Sequence, residues 1–320
     1  MKKYLRTCQL PLGLVLIIIT ACNNGGIANK SLHTSISTAS NEKVATNKIF
    51  NCQTQTINSL ANSVKLEKMF CTNNGNTRSF VAHVLHIIDI NQVDIINIGL
   101  SNKNDKNLLP LTEIASKSKI SSKIIAGING GYFNMTTRGY KDEMCKEKTY
   151  KDYGAGNSYL FINKEDWSKN CTTRPVMAYS PGVVPMLVSK LNKDMSLSGF
   201  KDVITSAGGG GPTLLINGQI KIDNGEYPWL TRIAPRTAIG TKGVEGTNKG
   251  MATLVVIDQG ITINELANFM KYELLQDNAM NLDGGGSTTM CAEKNCSKVI
   301  NTPKGGLPRR IHDGVFIIKR

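Results

Sequence analysis

From about residue 51 the chain alternates between short apolar runs and polar, glycine-rich stretches. SFVAHVLHIIDI and VDIINIGL are β-branched runs split by Asn91 and Gln92, which predicts two paired strands. PLTEIASKSK has Leu111, Ile114 and Ala115 at helical spacing, so a short helix is expected there. KIIAGINGGYFN is a buried strand running into a double glycine. DVITSAGGGGPTLLINGQI repeats the design: a strand, four glycines, Pro212, then a hairpin closed by Asn217-Gly218. ATLVVIDQG gives another buried strand, with Asp258-Gln259-Gly260 as its closing turn. ITINELANFMKYELLQ places Leu266, Phe269, Met270 and Leu274 on one helical face, with Thr262 and Glu265 spaced as a capping box. AMNLDGGGSTTM brings a strand to Asp283, and RRIHDGVFIIKR reads as the closing strand. The pattern predicts an α/β (mixed α+β) single domain with mixed sheets and a few helices.

The first 50 residues follow other rules. Lys2, Lys3 and Arg6 precede a short apolar core, LGLVLIII, and then Ile19-Thr20-Ala21-Cys22. The core is too short to span a bilayer. Residues 1–22 read as a signal peptide, and the last four resemble a bacterial lipobox in which Cys22 is lipidated. Residues 23–50 are poor in large apolar groups and read as a flexible tether. The globular domain is assigned to 51–320. The expected location is the cell envelope, held by lipid on Cys22, at the outer membrane where one exists.

Export changes the meaning of the cysteines. Cys8 leaves with the signal and Cys22 carries lipid, so six of the eight cysteines remain. An even count in an exported chain predicts disulfides, and local pairing gives Cys52–Cys71, Cys145–Cys171 and Cys291–Cys296. With no CxxC pair, a cysteine metal site is not expected.

The formal charge of +14 is spread along the chain, which suits an anionic substrate or surface. No zinc-knuckle, basic-zipper or RNA-binding signature accompanies it, so nucleic acid is not an expected partner. Aromatics are 6% of residues, too few for wide sugar-stacking platforms, although Tyr132 and Phe133 could stack on a sugar or pack in the core.

Candidate chemistry gathers at four stretches: INGGYFN (128–134), AGGGGP (207–212), APRTAIG (234–240) and NLDGGGSTT (281–289). Glycines at strand ends let another group approach the backbone closely, and consecutive glycines can turn their amides towards an anion. None matches a phosphate-binding P-loop or a dinucleotide fingerprint. Each polar residue also has a structural reading. Asp283 could cap its own turn, Arg236 could pair with a structural carboxylate, and Asn129 could satisfy backbone groups. His83 and His86 stand three apart on one strand and face opposite sides, which makes them poor co-ligands.

NGGYFN, GGGGPTLLINGQ, PRTAIG, ITINELA, AMNLDGGGSTTM and RRIHDGVF, in this order over roughly residues 80–320, resemble the phosphodiester glycosidase family. The resemblance implies a mixed α/β domain whose glycine-rich loops gather at one pocket. It implies hydrolysis of a sugar-1-phosphodiester on the glycosidic side. By position it carries catalytic roles to Asp283, Arg236 and Asn129. It carries substrate contacts to Gly130, Gly131, Tyr132, Gly209, Gly210, Gly211, Thr237, Gly284, Gly285, Gly286, Ser287 and Thr288. Arg309 and Asp313 match more loosely, because His312 is unusual in the closing segment.

The chemistry agrees with these residue types. Arg236 offers a planar fork for two phosphate oxygens, and glycine amides add uncharged donors. Asp283 could be the base, the nucleophile or the group that stabilises an oxocarbenium-like sugar. A phosphate leaves readily, so a strong general acid is not required; Glu143, Glu226 and Asp313 are candidates for a second carboxylate. No cofactor is expected, and no EF-hand loop supports a calcium ion on Asp283 or Asn129. The expected partner is an anionic phosphoglycan or sugar-1-phosphodiester. Two other readings stay open: a surface polysaccharide-binding or assembly protein without turnover, and a phosphodiesterase that cuts the P–O bond.

Overall fold

Residues 48–75, 78–136, 140–141, 149–150, 153–169, 174–188, 202–222 and 228–320 are described in a computed structural model. β1 (Phe50–Ala61), β2 (Val64–Asn73) and β3 (Ser79–Ile87) form a meander, and a 3₁₀ turn at Ile90–Gln92 leads to β4 (Val93–Gly99). Helix α1 (Leu111–Lys117) precedes β5 (Ile124–Asn129), β6 (Tyr140–Lys141), β7 (Thr149–Tyr150) and β8 (Tyr159–Ile162). Then come β9 (Glu165–Lys169), β10 (Val176–Tyr179), β11 (Met186–Val188) and β12 (Ser206–Gly209). β13 (Thr213–Ile216) and β14 (Gln219–Ile220) are followed by α2 (Pro228–Thr231), β15 (Ala234–Gly243) and β16 (Gly250–Ile261). Helix α3 (Ile263–Asn268) runs into a π-helical turn at Phe269–Glu273. The chain closes with β17 (Asn278–Asn281), β18 (Met290–Ala292), β19 (Lys298–Val299) and β20 (Asp313–Lys319).

The large sheet has the order β1-β2-β3-β16-β15-β17-β13-β14, and a second has the order β19-β18-β5-β20-β4. A third, β11-β10-β12-β8-β9, completes the main frame, and β6 pairs with β7. The architecture is mixed α+β, mostly strand with few helices. Between the first two sheets lies one apolar layer, with Leu85, Ile87, Leu254 and Val256 from one side and Ile128, Val315 and Ile317 from the other. The opposite face of the large sheet is covered by α3 and the π-helical turn. There Phe50, Phe80 and Phe269 meet edge to face at 5.1–6.3 Å, each pair contributing about 1 kcal/mol beyond its area. Helix α1 covers the second sheet through Leu111, Ile114 and Ala115.

Several expected elements form as read. Thr262 accepts from the Glu265 amide while Glu265 accepts from the Thr262 amide, the reciprocal cap. Asn217 and Gly218, both at positive φ, turn the β13–β14 hairpin. Cys52–Cys71 and Cys291–Cys296 are disulfides. Loop closure of these lengths stabilises by roughly 2–3 kcal/mol each. Cys145 and Cys171 lie outside the described residues, as do Cys22, Glu143 and Glu226.

Other expectations change. β3 and β4 do not pair: β3 sits between β2 and β16, while β4 is an edge of the second sheet beside β20. The 3₁₀ turn carries the chain across the interlayer core instead of closing a hairpin. Asp258, Gln259 and Gly260 are not a turn; they lie within β16, where a register shift opposite Ala234–Arg236 accommodates them. Arg236 and Thr237 likewise lie inside β15 and not at a strand end. Among the described residues no helix is long and apolar enough to cross a membrane.

Candidate active site

β17 is flanked by β15 and β13, so Asn281 and Leu282 are delivered into the core, 1% exposed each. Beyond them Asp283 emerges half-buried, held by its backbone at the seam of two sheets. Its amide donates to Gly130 O at 3.2 Å, and its carbonyl accepts from Asn129 Nδ2 at 2.7 Å. Asn129 ends β5 of the second sheet and Gly130 follows it directly. The carboxylate accepts from the Gly284 amide at 2.9 Å.

Asp283 lines a cleft of about 350 Å³ together with Arg309, Arg174, Trp229, Tyr132, Phe133, Asn134, Met135, Thr136 and Asn157. Burial pushes its pKa up to about 6. Ser287, the charge of Arg309, the Gly284 amide and the charge of Arg174 pull the other way and lose. The Ser287 hydroxyl makes no hydrogen bond of ordinary geometry, yet lies near enough to favour the ionised carboxyl.

Two guanidinium groups serve this cleft. Arg309 lies across Gly286, where a β-carbon would sit 2.2 Å from its Nη2. Arg174, 4% exposed, stacks over the Tyr132 ring at 4.1 Å and reaches Gly210 O at 3.5 Å. Such stacking contributes about 0.5–2 kcal/mol and fixes the plane of the guanidinium. Tyr132 is in turn held by its hydroxyl, which donates to Gly211 O at 2.8 Å and accepts from Asn281 Nδ2 at 2.9 Å.

The expected site residues therefore divide. Asp283, Arg309 and Tyr132 line the cleft, with Gly284, Gly285 and Gly286 forming the turn beside it. Arg236 does not offer a fork to phosphate: it donates to the carbonyls of Ile261, Trp229 and Arg232, and burial lowers its pKa. Its role is to tie β15 to α2. Asn129 is spent on protein atoms as well, since Oδ1 accepts from Thr237 Oγ1 at 2.8 Å and the Thr289 amide at 3.1 Å. That leaves Asp283 without an Asn129 oxygen to share a cation. Among the described residues no group of three or more His, Cys, Asp or Glu side chains gathers.

Asp313 stands behind the cleft, 4% exposed, accepting from Asn97 Nδ2 at 3.1 Å and the Gly131 amide at 3.4 Å. The amides of Gly130, Gly210 and Gly211 donate to Asp313 O, Pro175 O and Asn281 O, so they do not cradle a ligand. Gly209 is buried within β12. Ser287 and Thr288 are buried, 0% and 1% exposed, and neither lines the cleft. By contrast, no described atom accepts from the Gly285 or Gly286 amide.

Sequence reading missed Arg174 and Trp229. Arg174 precedes Pro175 with no glycine motif beside it, and only its burial over Tyr132 marks it. Trp229 is one of two tryptophans in the chain, a rarity that was a usable signal.

A half-buried carboxylate between two arginines, beside an aromatic wall, suits hydrolysis of an anionic glycoside. Kinship makes the class specific. The chain belongs to the phosphodiester glycosidase family, whose model matches residues 122–318. It is a glycosidase-type hydrolase of phosphodiester sugars. Its fold is similar to the catalytic domain of zebrafish N-acetylglucosamine-1-phosphodiester alpha-N-acetylglucosaminidase, auto-inhibited by its pro-peptide. That likeness has a TM-score of 0.62 and 19% identity, over 85% of this chain and 89% of that one. A hypothetical protein from Synechocystis is similar with a TM-score of 0.59 and 13% identity, over 83% of this chain and 64% of that one. No curated protein matches the chain.

Proposed function

We propose that the chain is an envelope lipoprotein that hydrolyses sugar-1-phosphodiesters of a glycan or cell-envelope polymer on the glycosidic side. The observation that carries this reading is Asp283, raised to about 6, in one cleft with Arg309 and Arg174. The two guanidiniums receive the phosphate oxygens and stabilise the charge that grows on them as the bond breaks. Trp229 and Tyr132 offer apolar faces to the sugar ring. Asp283 takes the proton of the attacking water. The water oxygen bonds to the anomeric carbon, and the C–O electron pair leaves with the phosphomonoester. A carboxyl near pKa 6 is a better base than an ordinary aspartate and is ionised at neutral pH.

The lipobox-like Ile19-Thr20-Ala21-Cys22 supports lipid anchoring, and two disulfides support an oxidising compartment. Metabolic labelling with a fatty acid, abolished in Cys22→Ser, tests the anchor. For the reaction, the purified domain is incubated with UDP-N-acetylglucosamine and alkyl α-sugar-1-phosphates in ¹⁸O-water, and products are followed by NMR and mass spectrometry. Label in the free sugar, absent with Asp283→Asn, is the expected result. Label in phosphate would instead establish P–O cleavage. Binding of a phosphoglycan with no product would leave a binding protein.

A further inference from the structure

Behind the cleft, a second polar cluster lies at the seam between the large sheet and the second sheet. His83 on β3 is 5% exposed, and its Nε2 stands 3.2 Å from Asp258 Oδ2 on β16. The Asp258 carboxylate also accepts from Asn301 Nδ2 at 3.0 Å and the Thr302 amide at 3.0 Å. A carboxylate only accepts, so the ring proton of a neutral His83 sits on Nε2. None of the three side chains lines the cleft.

Asn301 is the hinge of the cluster. Its Nδ2 donates to Thr288 O at 3.2 Å, and its Oδ1 accepts from the Met290 amide at 2.8 Å. Between those contacts, Thr289 donates its amide to Asn129 Oδ1 at 3.1 Å and accepts from the Asn129 amide at 3.1 Å. Asn129 then donates to the Asp283 carbonyl at 2.7 Å. Polar contacts thus run unbroken from His83 to the backbone of Asp283. The orientation of the Asn301 amide is dictated at both ends, because Asp258 and Thr288 O require donors and the Met290 amide requires an acceptor.

We propose that His83, Asp258 and Asn301 are positioning residues for the turnover step. They lock the backbone of Thr288–Met290 and, through Asn129, set where Asp283 stands relative to the reacting bond. This rests on the reading of the cleft as a glycosidase site. Misplacement of a reacting group by about 1 Å costs roughly 100-fold in rate with little change in substrate binding.

The test uses the full chain and compares wild type with Asn301→Ala, His83→Ala and His83→Gln. In Asn301→Ala, kcat on an alkyl sugar-1-phosphate is expected to fall about 10–100-fold, with KM within about 3-fold. Hydrogen exchange should quicken in peptides covering 283–290, while the β3 and β16 peptides stay protected. His83→Ala should give a smaller loss of the same kind, and His83→Gln, which keeps an N–H donor, should recover most of it. Unchanged kcat and unchanged exchange in Asn301→Ala would overturn the proposal. So would loss of protection throughout the domain, which would reduce the cluster to general support. If wild type turns over no substrate, the reading of the cleft fails separately, and exchange in 283–290 still decides whether the cluster holds the turn.

Discussion

The glycines around β5 and β12 and those after Asp283 look alike in sequence and differ in what surrounds them. A β-carbon at Gly130 would lie 1.9 Å from Asp313 Oδ2, and one at Gly131 would lie 2.5 Å from Gly209 O. At Gly210 it would lie 2.4 Å from Asn281 O. These glycines let three sheets close on one another. Gly285 has nothing within 4 Å and a φ of +61°, so it serves the turn of the chain and leaves open space beside the carboxylate. The first set builds the wall behind Asp283. The second shapes the approach to it: Gly286 makes room for the Arg309 guanidinium, Gly284 packs against Pro235 O, and Gly285 stays open.

The sharpest way to separate wall from approach is Asp283→Asn. Turnover should fall about 1,000-fold, within the range for a lost general base, while circular dichroism stays native. Gly210→Ala should act on the other side of the division. It should destabilise by about 3 kcal/mol, measured as a lower urea midpoint with unchanged slope, because a carbonyl occupies the space its methyl needs. Next come the arginines. Arg309→Ala should lower kcat/KM roughly 30-fold with stability nearly unchanged, as expected for a lost charged contact to substrate. Arg236→Ala should cost roughly 2 kcal/mol of stability, because it strips a donor from three carbonyls, that of Ile261 buried. Equal effects of the two on KM would erase the distinction drawn here.

Smaller effects test the environment of Asp283. Its folded pKa, about 6, exceeds its ordinary value of 3.8, so the folded state prefers the protonated form. That contribution is fully present below pH 3.8, declines as pH rises towards about 6, and stays lost above it. Asp283→Asn should therefore be more stable than wild type at pH 7–8, by about 1–2 kcal/mol in chemical denaturation. In wild type, kcat/KM should rise through pH 6 and level off. Gly285→Ala is expected to be the mildest change, about 1 kcal/mol, for a left-handed residue with room around it.

Local features were legible in the sequence because their causes are local. The Thr262–Glu265 cap, the Asn217-Gly218 turn and the buried face of α1 each depend on residues no more than four apart. Sheet membership was not legible: whether β4 joins β3 or β20 depends on which side of the core a three-residue turn emits the chain. The same limit hid one of the site's two cations. Arg236 sits in the conspicuous motif and is consumed by carbonyls, while Arg174, in an unremarked stretch, is laid over Tyr132 by the folding of β10 against β12. Asp283 was legible because it ends the run AMNL and stands directly before three glycines.

Cys52 lies two residues into β1, an edge strand, and is bonded to Cys71 of β2. A tug on the chain ahead of Phe50 would open an unbonded edge strand like a zip, one rung at a time and at low force. Here the zip jams at its third rung, where Cys52 faces Cys71. Load then passes into β2, which is paired along nearly its whole length with β3. The domain can thus take a pull at its leading strand without the sheet being unpicked from that end.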